Sequence, residues 1–189
     1  MTLRIRPVTL DDCDALGLVT VTVTAFLSAY VGRIPGAAFD WSWTQQFSAN
    51  DWRRQLQSNG PNRFMAAVIG QDVVGFIEYG PEGAIPGFGA DIGSLYVLPT
   101  LQGKGIGKAL MLHAASNLEE KGVRSLALGC ILENPSHGFY EHLGGVEVAK
   151  RPGKADNHET VEIIYGWRDI LDLIRRASAN RTYSPGVDQ

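Results

Sequence analysis

Residues 97 to 108 read Val97-Leu98-Pro99-Thr100-Leu101-Gln102-Gly103-Lys104-Gly105-Ile106-Gly107-Lys108, an order that predicts a strand, a glycine-rich turn and then a helix. Glycine reaches backbone angles closed to other residues and lets a ligand approach the chain closely. The first amides of a helix have no partner inside it, so at such a turn they converge on an anion. The segment therefore reads as a phosphate cradle built from backbone. Lys104 and Lys108 either add positive charge to it or are solvated residues at the helix end. The stretch lacks the Gly-x-x-x-x-Gly-Lys-Ser/Thr pattern, and it does not supply Gly-x-Gly-x-x-Gly in a first βα unit, which argues against kinase and nicotinamide readings.

Working outward, a helix from Gly105 or Gly107 to about Glu120 has Ile106, Leu110, Ala114 and Leu118 on one face, and Gly122 stops it. Upstream, Asp91 to Val97 reads as a strand after the loop Gly80 to Ala90. Arg63–Ile69 and Val73–Tyr79 form a hairpin about Gly70-Gln71-Asp72. Before them come a short strand, Thr2 to Pro7, and a Val- and Thr-rich helix, Ala15 to Val31, capped by Asp11 or Asp12. Gly32, Pro35 and Gly36 break that helix. The bulky Phe39, Trp41, Trp43, Phe47 and Trp52 that follow either build core or wall an acceptor pocket.

Downstream, Val123 to Leu132 reads as a buried strand, Ser136 to His142 as a short helix and Glu159 to Trp167 as the last strand, with Arg151 to His158 as a hairpin loop between. Asp169 to Ala177 is amphipathic through Ile170, Leu173 and Ile174, packing on the domain or on a second subunit of a homodimer. The order is mixed α/β. A length of 189 residues against roughly 150 per domain favours one domain, 1–177, with a peripheral tail, 178–189.

Seventeen Lys plus Arg against twenty Asp plus Glu give a net charge of -3, which offers no general positive field for nucleic acid. Cys13 and Cys130 make neither a disulfide framework nor a cysteine metal site, so a cytoplasmic location is expected. The N-terminus alternates Leu3, Ile5 and Pro7 with Arg4 and Arg6 rather than forming a signal segment, and no apolar run is expected to span a bilayer. His137 and His142 do not form a zinc signature, and His113 and His158 lack acidic or cysteine partners, so no metal is expected.

The glycine turn in its strand-turn-helix setting resembles the GNAT superfamily of acyl-coenzyme A dependent N-acetyltransferases, and the resemblance extends over about residues 2–168. It implies a central mixed, mostly antiparallel sheet flanked by helices, with a splay between strands four and five. It further implies acetyl-CoA as cosubstrate, its pyrophosphate held by Gln102 through Gly107 with Lys108 following, and its pantetheine arm paired with backbone of Leu95, Tyr96 and Val97. Glu133-Asn134-Pro135-Ser136-His137-Gly138-Phe139-Tyr140 resembles the family's Asn and Phe-Tyr helix. By that resemblance Asn134 contacts the coenzyme arm, Ser136 lets it pass and Tyr140 approaches its sulfur. Asn134 stands six residues before Tyr140 instead of the commoner seven, and Gly145 replaces a frequent aromatic, which implies looser packing there.

Acetyl transfer needs a neutral amine, a placed thioester and a proton for the departing thiolate. Tyr140 is the candidate acid, and Asp91, then Glu78, are the candidate bases, with ordered water or backbone as alternatives. Tyr79 and Tyr96 either line the acceptor site or pack. The expected acceptor is a primary amine of a small molecule, or alternatively of a peptide or protein. A noncatalytic acyl-coenzyme A binding module is the reading from a different class.

Overall fold

The computed structural model describes residues 2–34, 44, 47–59, 63–81, 84–155 and 158–179. The expectations for Phe39, Trp41 and Trp43, and for the tail beyond residue 179, lie outside the described residues. The elements run β1 (Leu3–Pro7), α1 (Asp12–Tyr30), α2 (Ala49–Asn59), β2 (Phe64–Ile69), β3 (Asp72–Gly80), β4 (Ala90–Val97), a single turn at Pro99–Leu101 and α3 (Ile106–Glu120). Then follow β5 (Leu126–Ile131), α4 (His137–His142), β6 (Val146–Ala155), β7 (His158–Trp167) and α5 (Ile170–Ser178).

The seven strands form one sheet in the order β1-β2-β3-β4-β5-β7-β6. Every neighbouring pair is antiparallel except β4 and β5, which run parallel and pair only from Ala90–Leu126 to Ile92–Leu128. Beyond Ile92 the two strands continue without pairing, which is the splay that the sequence resemblance implies. A bulge sits at the same point. Tyr79 pairs with Ile92 and Glu78 with Ser94, leaving Gly93 as an extra residue on β4. An extra residue reverses the alternation of a strand, so Ala90 and Ile92 before it and Leu95 and Val97 after it all reach the same core.

That core lies under α3 and α5. Ile106, Leu110, Ala114 and Leu118 of α3 are buried as their spacing predicts, and α5 contributes Ile170, Leu173 and Ala177. The amphipathic face of α5 is thus spent on packing within the chain. A second core on the opposite face joins α1 and α2 to the sheet through Leu18, Val21, Trp52, Leu56, Phe64 and Phe76.

Helix α1 begins with Asp11, whose side chain accepts from the Asp14 amide at 2.8 Å. Asp14 is 1% exposed and accepts from both Arg6 guanidinium nitrogens at 2.6 Å, from the Thr9 amide at 2.7 Å and from the Thr9 hydroxyl at 2.9 Å. Burial pushes the Asp14 carboxyl up, but the Arg6 and Thr9 bonds outweigh it and hold it below the usual carboxylate range. Asp14→Ala is expected to cost about 2–3 kcal/mol of stability near neutral pH, because it leaves the Thr9 donors without their acceptor while Arg6, one-third exposed, turns to water and to the Pro7 carbonyl. A carboxyl lowered in the folded state stabilises above its unfolded pKa of about 3.9 and loses that contribution as pH falls through the folded value. Urea denaturation should therefore show the gap between wild type and variant closing in strong acid.

Three expectations are corrected. Residues 13–30 do reach a membrane-spanning length with a mean hydropathy of 1.5; in this fold Ala15, Leu18, Val21 and Ala25 spend that apolarity on packing. Residues 151–155, expected in a loop, continue β6, where Pro152 is tolerated because β6 is an edge strand. The packing at Gly145 is not loose. A methyl group there would lie 2.7 Å from the Trp167 ring, and the Trp167 indole donates to the Leu143 carbonyl at 2.9 Å.

Candidate active site

Past the bulge, β4 presents alternate side chains to two cavities. Leu95 and Val97 line one of about 420 Å³ on the α3 side, while Ser94 and Tyr96 line one of about 320 Å³ on the α1 and α2 side. A single strand at the open splay therefore lies between two cavities.

The glycine turn shapes the larger cavity. Gly103 and Gly105 have φ of 74° and 83°, a left-handed conformation that other residues adopt only with strain, and open space lies where a side chain would project from either. Gly105 starts α3, so the first α3 amides are not used inside the helix. The Gln102 side chain donates to the Val97 carbonyl at 3.1 Å and ties the turn to the end of β4. Gln102, Gly103, Gly105, Ile106, Gly107 and Lys108 all border this cavity, as do Ser136 and Tyr140 across from them. Lys104 is exposed and is not among the residues that line it.

Tyr140 is brought to the cavity by α4, held in turn by a polar network. His137 Nε2 lies 3.1 and 3.0 Å from the Ile131 and Leu132 carbonyls, which assigns the proton to that nitrogen, and Nδ1 lies 3.1 Å from the Tyr165 hydroxyl. The Tyr165 hydroxyl also lies 3.1 Å from Glu141. The Tyr140 ring packs against Phe139 and Tyr165 at 5.2 and 5.8 Å between centroids. Burial, then Cys130, Tyr30 and Tyr96 nearby, push its phenol well up, so the hydroxyl keeps its proton at physiological pH.

Asn134 is engaged within the protein. Its amide donates to the Tyr30 hydroxyl at 2.8 Å and its carbonyl oxygen accepts from the Ser136 amide at 2.9 Å, pinning the β5–α4 connection to the end of α1. Tyr30 had no signal in the sequence beyond its place on the last turn of α1. It is 5% exposed, and burial raises its phenol as well.

The smaller cavity is walled by Thr22 of α1, by Phe47 and Ser48, and by Asp51, Trp52 and Gln55 of α2. Of the aromatics weighed between core and pocket, Trp52 serves both, meeting Phe64 and Phe76 edge-on at 5.8 and 5.2 Å. Tyr96 packs on Phe76 at the same cavity, whereas Tyr79 is core and accepts from the Asn117 amide at 2.8 Å.

Glu78 does not line this cavity but adjoins a residue that does, its carboxylate accepting from the Ser94 hydroxyl at 3.4 Å. Burial raises its pKa, with Arg63 and Ser94 drawing it partly back. Asp91 pairs with Gly80 and Ala127 in the closed part of the sheet, a step before the splay. One Asp91 oxygen is buried without a hydrogen-bond partner, and burial raises this carboxyl too, opposed by the Ala84 amide and Arg63. Cys130 is buried and its thiol is pushed up to about 12, which makes it a poor nucleophile. Among the described residues no group of three metal-ligating side chains comes together.

The sequence profile of the Acetyltransferase (GNAT) family matches residues 29–145. The Uncharacterized N-acetyltransferase YuaI of Bacillus subtilis (strain 168) is 29% identical over 102 residues, which are 53% of this chain and 59% of that protein, so the match spans well under two thirds of that relative. Among solved structures, PaiA N-acetyltransferase from Thermoplasma acidophilum, in complex with coenzyme A, superposes with a TM-score of 0.64 at 21% identity, covering 86% of this chain and 98% of that one. Ribosomal-protein-alanine N-acetyltransferase from Brucella melitensis superposes with a TM-score of 0.61 at 22% identity, covering 87% and 98%. At these identities the superpositions speak for the fold.

Proposed function

The chain belongs to the acetyltransferase (GNAT) family, and from that premise we propose that it moves an acetyl group directly from acetyl-coenzyme A to a primary amine of a small molecule. The observation that carries this reading is the pair of cavities on opposite faces of β4, one bordered by the glycine turn and Tyr140, the other by Ser94, whose hydroxyl donates to Glu78.

In this reading the turn from Gln102 to Lys108 takes the pyrophosphate of the donor through the free amides at the start of α3. The pantetheine arm pairs with β4 backbone that β5 leaves unused past Ile92. The amine enters from the smaller cavity and loses a proton to Glu78, directly or through a water held with Ser94. Its lone pair then attacks the thioester carbonyl carbon. A C–N bond forms and the C–S bond breaks, Tyr140 donates its hydroxyl proton to the departing sulfur, and the second proton on the acylated nitrogen passes back to the Tyr140 oxygen, so that a neutral amide and the coenzyme A thiol are released. A β4 amide near Leu95 stabilises the developing oxyanion. Asp91 supplies negative charge nearby and is the second choice for the base.

A cavity of about 320 Å³ falls at the lower end of the range for small-molecule sites, and its Phe47, Trp52 and Tyr96 walls with Ser48, Asp51 and Gln55 suit a compact amine with an apolar body. The relative similarity to a ribosomal-protein enzyme does not select a protein acceptor, since that likeness reaches the fold alone.

The test is a titration with acetyl-coenzyme A and desulfo-coenzyme A, followed by a mass readout on panels of small amines and of peptides. Saturable donor binding with acetylated small amines is the expected result. Acetylation of peptides alone moves the acceptor to proteins, binding without any product makes the chain a noncatalytic binding module, and a folded protein that binds no donor overturns the reading.

A further inference from the structure

Arg63 lies just before β2, and its guanidinium lies against the backbone of Gly80 at the end of β3. A methyl group built on Gly80 would lie 2.8 Å from Nη2, 3.0 Å from Cζ and 3.2 Å from Nε, so only glycine leaves this seat open. Its Nε is buried without a hydrogen-bond partner, and among the described residues the guanidinium forms no ion pair. A buried donor left unpaired in a native structure asks for a reason.

The surroundings supply one. Glu78 precedes Gly80 by two residues and Asp91 is the cross-strand partner of Gly80, so all three positions share one face of the sheet, with Glu78 and Asp91 rooted about 5–7 Å from the seat. Arg63 is felt by both of them, lowering each against the effect of burial. The other groups facing the pair are Ser94 on β4, which donates to Glu78, Arg151 on β6, which acts on Asp91, and Tyr96, which feels Glu78. Arg151 itself is paired with Glu162. Arg63 is thus a cation shared between two carboxylates and committed to neither.

We propose that Arg63 is a positioning residue for the acceptor side, its guanidinium, seated on Gly80, keeping the Glu78 carboxyl ionised and ready to accept the proton of the incoming amine. The proposal rests on the reading of Glu78 as the base. Arg63 touches no reacting atom; its charge offsets the desolvation of Glu78 and the repulsion between Glu78 and Asp91.

The experiment compares wild type with Arg63→Met, Arg63→Lys and Gly80→Ala, reading both the pH profile of kcat/KM and a carbon-13 NMR titration of the Glu78 carboxyl, assigned with Glu78→Gln. In Arg63→Met the NMR titration and the acid limb of the profile are expected to move up together by about half to one pH unit, as for charges a few ångströms apart in a partly solvated site. Arg63→Lys should restore most of the shift. Gly80→Ala, which pushes the guanidinium off its seat without deleting it, should shift both in the same direction and decides the matter if Arg63→Met fails to fold. A Glu78 titration that does not move overturns the proposal. Movement of the NMR titration with an unmoved kinetic limb supports the hold of Arg63 on Glu78 and instead removes Glu78 from the reaction.

Discussion

Tyr140→Phe is expected to lower kcat by about a hundred- to ten-thousand-fold, the range for loss of a general acid, while leaving the affinity for acetyl-coenzyme A nearly unchanged. The ring is 8% exposed and packs between Phe139 and Tyr165, contacts that phenylalanine keeps. The hydroxyl makes no hydrogen bond to a described residue, so its removal strands no partner and the melting temperature should stay close to wild type. What is lost is a proton held on the phenol by burial at the edge of the larger cavity. Steady-state kinetics with a donor titration separate the two quantities. An equal fall in kcat and kcat/KM marks an interaction made only in the transition state, and an unchanged kcat would move the acid role away from Tyr140.

Glu78→Gln is expected to cost a similar factor in kcat/KM and to abolish the acid limb of its pH profile. The sign follows from the cause. Burial raises the Glu78 carboxyl above its ordinary value, so the proton-accepting form fills only as pH rises through that raised pKa, and activity climbs with it. Stability runs the other way. Between the unfolded value of about 4.3 and the raised folded value the native state binds more protons, so stability falls as pH rises through this window and stays lower above it. Removing the charge should make the variant at least as stable as wild type at neutral pH, so that lost activity cannot be ascribed to unfolding. Kinetics and denaturation of the same samples across this range check both halves. If Glu78→Gln keeps its activity, Asp91→Asn becomes the informative variant.

Much of the fold was legible because its signals are local. The periodicity of Ile106, Leu110, Ala114 and Leu118, the turn at Gly70-Gln71 and the glycines before α3 each depend on neighbours within a few residues. The edge strand β6 was not read, and its second half was expected in a hairpin loop. Its side chains are largely exposed, so no alternation of apolar and polar residues marked residues 146–155, and Pro152 and Gly153 read as turn residues although they pair with Val161 and Thr160. The effect of Gly145 was misread for the same reason in reverse, since the ring that fills its space belongs to Trp167, twenty-two positions along the chain.

The candidate site divides along the same line. The sequence by itself determined the glycine turn, the strand that feeds it and the short helix bearing Tyr140, because backbone conformation and periodicity are written residue by residue. Only the tertiary structure decided that Ser94 and Leu95 face different cavities, that Tyr30 clasps Asn134, and that Arg63, Glu78 and Asp91 share one patch around Gly80. Apart from the clasp of Tyr30 on Asn134, which follows from how α1 packs, these relations follow from strand register, and a single extra residue at Gly93 sets which face each later β4 side chain takes. Register is fixed by how two cores pack on opposite faces of a sheet, a balance of long-range contacts that no short stretch of the chain contains.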